Sequence, residues 1–215
     1  MSTMSRRTIS LGFTDECFHE GLHICYIYND DAERRRVMSK YLESGLLARE
    51  KVLYLVDLMT PAEMLNNLES MGVDVRSKGA AFTIAEAAPA YCPSGVFNSD
   101  EMLTIVKDFY QQSISEGYYG SRGTGEMSWC LVQGRADKAS LMDYEARLNL
   151  LLAEHPYTAC CQYDSRRFDG QTIMDVLSVH PVMIVRGQLV KNPFYIEPWV
   201  FLKELQSRMQ NSDEI

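Results

Sequence analysis

What the sequence lacks narrows its class before any motif is considered. None of its 215 residues falls in an apolar run approaching the length of a bilayer crossing, and the opening MSTMSRRTIS has no apolar core of the kind a secretion signal carries. Six cysteines are present (Cys17, Cys25, Cys92, Cys130, Cys160, Cys161) but no C-x-x-C pair, and three of them sit inside apolar runs, as reduced core thiols do. These absences predict a cytoplasmic protein with no membrane attachment. Basic charge is also scarce: 21 Lys and Arg against 29 Asp and Glu leave a formal net charge of -8. Such a surface repels phosphate backbones, so direct nucleic-acid binding is not expected. The densest basic run, Arg34-Arg35-Arg36, follows Asp30, Asp31 and Glu33, and the spacing predicts a solvated helix face.

What is present is an alternation of strand-like and helix-like segments without an internal repeat or a linker. Residues 1–20 read as a lead-in, 21–206 as one domain, and 207–215 as a tail polar enough to fray. His23–Tyr28 is a short apolar run rich in β formers, and Asp30 with Glu33 three positions on opens a helix to about Ser44. Lys51–Asp57 is a second strand. Thr60, Pro61 and Glu63 then start a helix that buries Met64, Leu65, Leu68 and Met71 and stops at Gly72. Ala81–Ala85 is a weaker strand, followed by a loop and a helix over about Asp100–Glu116. Gly120–Val132 contains a strand whose start three glycines obscure. A helix at about Lys138–Glu154, a strand at Thr158–Asp164, a helix at about Gly170–Val179 and a hairpin over Pro181–Val190, turning at Arg186-Gly187, complete the sequence before a last helix after Pro198. The expected fold is α/β: a mostly parallel sheet with helices on both faces and an antiparallel hairpin at its C-terminal edge.

The turn after the first strand lacks what a nucleotide-binding fold would place there. Strand, turn, helix, the Lys51–Asp57 strand, Thr60-Pro61-Ala62-Glu63 and Met71-Gly72-Val73-Asp74-Val75 follow in an order that resembles the first half of a KaiC/RecA-type ATPase. In those proteins the turn reads GxxxxGK[ST], supplying backbone N–H groups, a lysine and a Mg²⁺-binding hydroxyl. Here it is Asn29-Asp30-Asp31-Ala32-Glu33, with no glycine, lysine or hydroxyl and with three carboxylates where polyphosphate would lie. Close-range repulsion follows, and neither ATP hydrolysis nor any other enzymatic activity is expected, with no cofactor and no metal.

Further motifs sharpen the resemblance. Arg122-x-x-x-Glu126-Met127-x-Trp129, Tyr144-Glu145-x-x-Leu148-Asn149, Cys161-Gln162-Tyr163-Asp164, His180-Pro181 and Asn192-Pro193-Phe194-Tyr195 are similar, in this order and with these gaps, to the MEDS domain. That name stands for the methanogen/methylotroph sensory domain, first described in a dichloromethane-responsive regulator. The resemblance runs from about His23 to Tyr195. It implies a sensory module for small hydrocarbon derivatives, often attached to a DNA-binding or kinase output. The sequence has no room for a separate output domain, so a stand-alone sensor is expected, signalling through a partner regulatory protein or kinase, with a homodimer left open. A residual nucleotide binder or enzyme on the KaiC-like scaffold is the alternative.

Ligands of open parallel sheets bind beyond the carboxyl ends of the strands, which selects Asn29, Asp30, Glu126 and Asp164, with Arg122 as a charged partner four residues from Glu126. Each has a structural alternative: Arg122 and Glu126 as an ion pair, Asp164 as a turn residue. Glu145 falls inside or beside the apolar face of its helix, where a carboxylate needs a partner that Asn149, one turn on, can share; the alternative is a rim residue reaching water. His23, Tyr163 and His180 are secondary candidates. His23, His180 and Cys161 are acceptable zinc ligands, yet none has a spaced partner in its own segment. His180 more often serves as a helix-end histidine, favoured there by the dipole.

Overall fold

The structure, a computed structural model, describes residues 6–212; residues 1–5 and 213–215, parts of the expected lead-in and tail, lie outside it. A short ribbon pairs β1 (Thr8–Ser10) with β2 (Cys17–His19). The main sheet is built from β3 (His23–Tyr28), β4 (Glu50–Val56), β5 (Phe82–Glu86), β6 (Gly120–Glu126), β7 (Thr158–Asp164), β8 (Val182–Val185) and β9 (Gln188–Lys191). Its order is β5-β4-β6-β7-β3-β8-β9, parallel throughout except for the antiparallel β8–β9 hairpin at one edge. The expected fold class and the hairpin are both present.

Two helices, α1 (Asp31–Leu47) and α2 (Pro61–Ser70), pack on one face of the sheet. The other face carries α3 (Ala87–Tyr91), α4 (Ser99–Ser115), α5 (Lys138–Glu154), α6 (Gly170–Val179) and α7 (Pro198–Ser212). The helix starts are local chemistry. Asp30, Asn98, Asp137 and Asp169 each accept hydrogen bonds from first-turn N–H groups, and Thr60 with Glu63 forms a reciprocal capping box. Gly72, at φ 87°, takes the left-handed turn that ends α2. Met64 and Leu68 are buried as expected, whereas Met71 caps that helix and is 40% exposed.

Three segments depart from the sequence reading. The lead-in is folded: β1 and β2 pair, and Leu11 is fully buried. The tail beyond Ser207 continues α7 to Ser212. The strand in Gly120–Val132 stops at Glu126, and Met127–Leu131 forms a 3₁₀ turn that buries Trp129 in a stack on Tyr91 with ring centroids 4.6 Å apart.

The glycines that obscured β6 are explained by what crosses it. A Cβ at Gly123 would collide with the Tyr157 hydroxyl, and one at Gly125 with the Tyr91 hydroxyl. These aromatic rings need a strand with no side chains beneath them, and this outweighs the poor β propensity of glycine. Gly125→Ala should therefore cost roughly 1–3 kcal/mol through overpacking, read as a shift in urea unfolding. Tyr91→Phe in the same chain should recover part of that loss, so that the two changes are non-additive in a double-mutant cycle.

Candidate functional site

Alternation along the strands sorts the polar residues of the core onto two faces. On β6, Arg122, Thr124 and Glu126 face α1, while Gly123 and Gly125 face α3–α5. On β7, Cys160 belongs to the α1-side core and Cys161 and Tyr163 to the α5-side core. Two separate polar constellations result.

The first closes the place where a nucleotide-binding fold holds phosphate. Arg34, in the first turn of α1, donates from Nη1 to Glu126 Oε1 at 2.5 Å, and the Tyr54 hydroxyl donates to the same oxygen at 3.0 Å. The backbone N–H groups of Asp57 and Leu58 donate to Oε2 at 2.9 and 2.8 Å. The Glu126 carboxylate, 1% exposed, has its lone pairs taken up by the chain itself. At the helix start the Asp30 carboxylate accepts from the N–H groups of Ala32 and Glu33 at 2.7 and 3.1 Å, using the donors an anion would need. Arg166 bridges Asp31 and Asp164, and its guanidinium holds both carboxyls below their usual range. Asn29 is exposed and borders an open cleft of about 290 Å³ beside β8. The strand-end crevice is thus filled by the protein's own side chains between Glu126 and Asp164.

Arg122 requires a correction. It is the third residue of β6, toward the amino end of the strand, and pairs with Glu50 and not with Glu126. Its guanidinium also donates to Tyr41 O, Ser44 Oγ and Ser10 O, while Arg7 reaches Glu50 from the lead-in at 2.9 Å. Four residues of extended strand separate opposite ends of the sheet, so Arg122 and Glu126 cannot meet. Arg34 also corrects the reading of the basic run as a solvated face: it is 2% exposed, and nothing in the run distinguished it from its neighbours.

The second constellation lies on the α5 face and gathers four of the sequence candidates. His23 Nε2 is 3.0 Å from Glu145 Oε2, and the Tyr163 hydroxyl donates to Glu145 Oε1 at 2.6 Å. His180 Nε2 lies 3.6 Å from Glu145 Oε2, and Cys161 Sγ lies 3.6 Å from both that oxygen and His23 Nε2. Glu145 is fully buried, so the rim alternative fails, and Asn149 does share its partner, with Oδ1 3.1 Å from His23 Nδ1. Burial works against the Glu145 charge, while the hydrogen bond donated by the Tyr163 hydroxyl favours it. Burial pushes His180 down to about 3, so it ends α6 as a neutral ring and not as a cation favoured by the dipole. These residues come from β3, α5, β7 and the end of α6, which is why no single segment showed a spaced pair. Their donor atoms lie within 4.8 Å of one another, a set able in chemical type to hold a metal ion.

Next to this centre a small, partly open cavity of about 30 Å³ lies over the β6 glycines. Leu53, Tyr91, Val106, Phe109, Tyr157 and Cys161 are among its walls, so Cys161 belongs to both features.

Comparison with known proteins places these features in a family. A family model described as "MEDS: MEthanogen/methylotroph, DcmR Sensory domain" matches residues 22–181. The transcriptional repressor DcmR of Methylorubrum extorquens is 27% identical over 167 residues, covering 77% of this chain and 60% of the repressor. The chain thus spans about 60% of that relative's length. Among solved structures, a KaiC-like protein of Pyrococcus horikoshii superposes with a TM-score of 0.60 at 12% identity, covering 83% of this chain and 80% of that one. The flagellar accessory protein FlaH of Methanocaldococcus jannaschii gives 0.57 at 13% identity, covering 79% and 75%. At these identities the structural likeness establishes the KaiC/RecA-like fold.

The Arg166 bridge carries a pH signature. Both carboxyls are lowered in the folded state, so the bridge stabilises above the unfolded aspartate value of about 3.9 and its contribution disappears as pH falls through the lower folded values. The melting temperatures of the wild type and Arg166→Gln should therefore differ at neutral pH and converge in acid. The gap should also shrink in high salt, because Arg166 is nearly half exposed.

Proposed function

Because the chain belongs to the MEDS family of sensory domains, we propose that it senses a molecule of very few heavy atoms and passes its state to a regulatory partner. The observation that carries this reading is the small cavity on the β6 glycines. Apolar cavities of ~150 Å³ admit benzene, and ~10–15 Å³ suffices for one water. A volume of about 30 Å³ therefore suits a one- or two-carbon compound and excludes a nucleotide. The apolar and aromatic walls favour a weakly polar ligand, in keeping with small hydrocarbon derivatives.

Cys161 gives the cavity a route to the rest of the fold. A molecule against its thiol presses on the group that also faces His23 and Glu145, and through them on β3 and α5. Output then belongs to a partner protein, a kinase or a DNA-binding repressor, as the resemblance to DcmR suggests. The closed phosphate position supports a sensor over a nucleotide hydrolase: Asp30 and Glu126 already accept the hydrogen bonds a polyphosphate would need.

Methyl NMR and thermal melts of the whole chain with short alcohols, thiols, amines and chloromethanes test this. Expected are saturable shifts at Met102 and Val106, which line the cavity, lost in Ala159→Leu, whose larger side chain fills it. MgATP should leave the melting temperature unchanged, with no phosphate release above background. Stabilisation by MgATP of several degrees, with no response to the small compounds, would replace the sensor with a nucleotide binder. Shifts confined to Met183 and Ile184 would instead move the ligand to the cleft beside Asn29.

A further inference from the structure

Independently of the sensory reading, we infer that His23, Glu145, Cys161 and His180 form a binding site for a zinc-class divalent cation, through two imidazole nitrogens, one carboxylate oxygen and one thiolate. The argument begins with which nitrogen of each imidazole carries hydrogen. Asn149 Nδ2 donates to Val179 O at 2.8 Å and to Glu145 O at 3.0 Å, which turns its Oδ1 toward His23 Nδ1. An amide oxygen only accepts, so His23 Nδ1 is the donor. His180 Nδ1 faces the Val176 carbonyl at 2.8 Å and is a donor for the same reason. In a neutral imidazole the other nitrogen then bears a lone pair. Both Nε2 atoms consequently aim lone pairs at the Glu145 carboxylate, at 3.0 and 3.6 Å. His180 Nε2 is buried without a hydrogen-bond partner.

Electron pairs facing one another in a dry interior repel, and a positive centre among them removes the conflict. The protein's other deeply buried carboxylates meet guanidinium groups, Glu126 with Arg34 and Glu50 with Arg122. Among the described residues no lysine or arginine forms an ion pair with Glu145; its ionic contacts are the two histidines. A divalent cation fits the charge. With the Cys161 proton released, metal, thiolate and carboxylate sum to zero, the arrangement that burial penalises least.

Four of the six ligand spacings lie near the tetrahedral values, and the others stay within 4.8 Å. Tetrahedral zinc bonds of ~2.0 Å to N or O and ~2.3 Å to S put N/O ligands about 3.3 Å apart and an N/O ligand about 3.5 Å from sulfur. The observed separations are 3.0 and 3.6 Å from Glu145 to the histidines, and 3.6 Å from Cys161 to both His23 and Glu145. Each histidine also donates its far N–H to an oxygen, and Tyr163 holds the second carboxylate oxygen, the outer layer that fixes metal ligands in orientation. Four protein ligands make a closed set, which ties β3, α5, β7 and the end of α6 together and leaves no position for a substrate. The rival is a proton on His23, pairing it with Glu145 and leaving His180 Nε2 unpartnered.

Metal analysis of the gel-filtered whole chain, grown with zinc, should find about one zinc per protein. Chain refolded with Co²⁺ should show intense tetrahedral d–d bands and a thiolate charge-transfer band in the near ultraviolet. Cys161→Ser should lose the charge-transfer band, and Asn149→Ala should weaken Co²⁺ binding roughly 10–100-fold. Folded wild type that holds less than about a tenth of a metal per chain, both as purified and after refolding with excess Zn²⁺ or Co²⁺, overturns the site in favour of the protonated histidine. A cobalt spectrum without a thiolate band, or one unchanged in Cys161→Ser, also overturns it. Should Cys161→Ser fail to fold, the wild-type stoichiometry and spectrum decide alone.

Discussion

A carboxylate taken out of water must be met by positive charge or by donors enough to replace the water it lost. Glu50 and Glu126 in the sheet and Glu145 on α5, each at most 1% exposed, impose that condition at three places. Glu50, at the start of β4, draws Arg122 along its strand and Arg7 in from the first ribbon, which is why the lead-in is folded. Glu126, at the far end of β6, draws Arg34 across from α1 together with two N–H groups from the loop after β4. Glu145, on the opposite face, gathers two histidines, a tyrosine and a cysteine from elements remote in sequence. Breaking such a pair by removing one member typically costs about 3–5 kcal/mol, so these contacts constrain the fold more tightly than any surface ion pair.

The KaiC/RecA-like order of elements survives while its phosphate chemistry is replaced. A phosphate loop works by leaving backbone N–H groups free and a lysine poised. Here the Asp30 carboxylate takes N–H groups at the start of α1, and Arg34 in the same turn is buried against Glu126. The distinctive chemistry lies on the α5 side of the sheet, where Gly123 and Gly125 present no side chain and Cys161 borders both the cavity and the polar centre.

Most of the fold was legible because its signals are local. Aspartates and a threonine at helix starts, glycine at the end of α2, and apolar runs of strand length each fix an element without reference to the rest of the chain. The site was legible only in part. Glu145 declared itself by lying on an apolar helix face, and His23, Tyr163 and His180 stood out by residue type. Their convergence depends on the order of strands in the sheet, which periodicity does not encode. Arg122 was misplaced for a related reason: proximity in sequence along a strand is distance in space, and its partner Glu50 lies on a neighbouring strand. Arg34 carried no local mark at all, since one arginine of three turns inward only because Glu126 waits there.

The sheet order also has a consequence in time. β3 is the first strand of the main sheet to leave the ribosome, yet its neighbours are β7 and β8, among the last. Pairings of such long sequence separation form slowly. Until Thr158–Asp164 has been synthesised, His23–Tyr28 has neither of its partners, and the set of His23, Glu145, Cys161 and His180 is complete only when His180 has emerged. The centre is thus a record of synthesis through the end of α6: a chain cut short between Glu145 and His180 leaves the Glu145 carboxylate without part of its company.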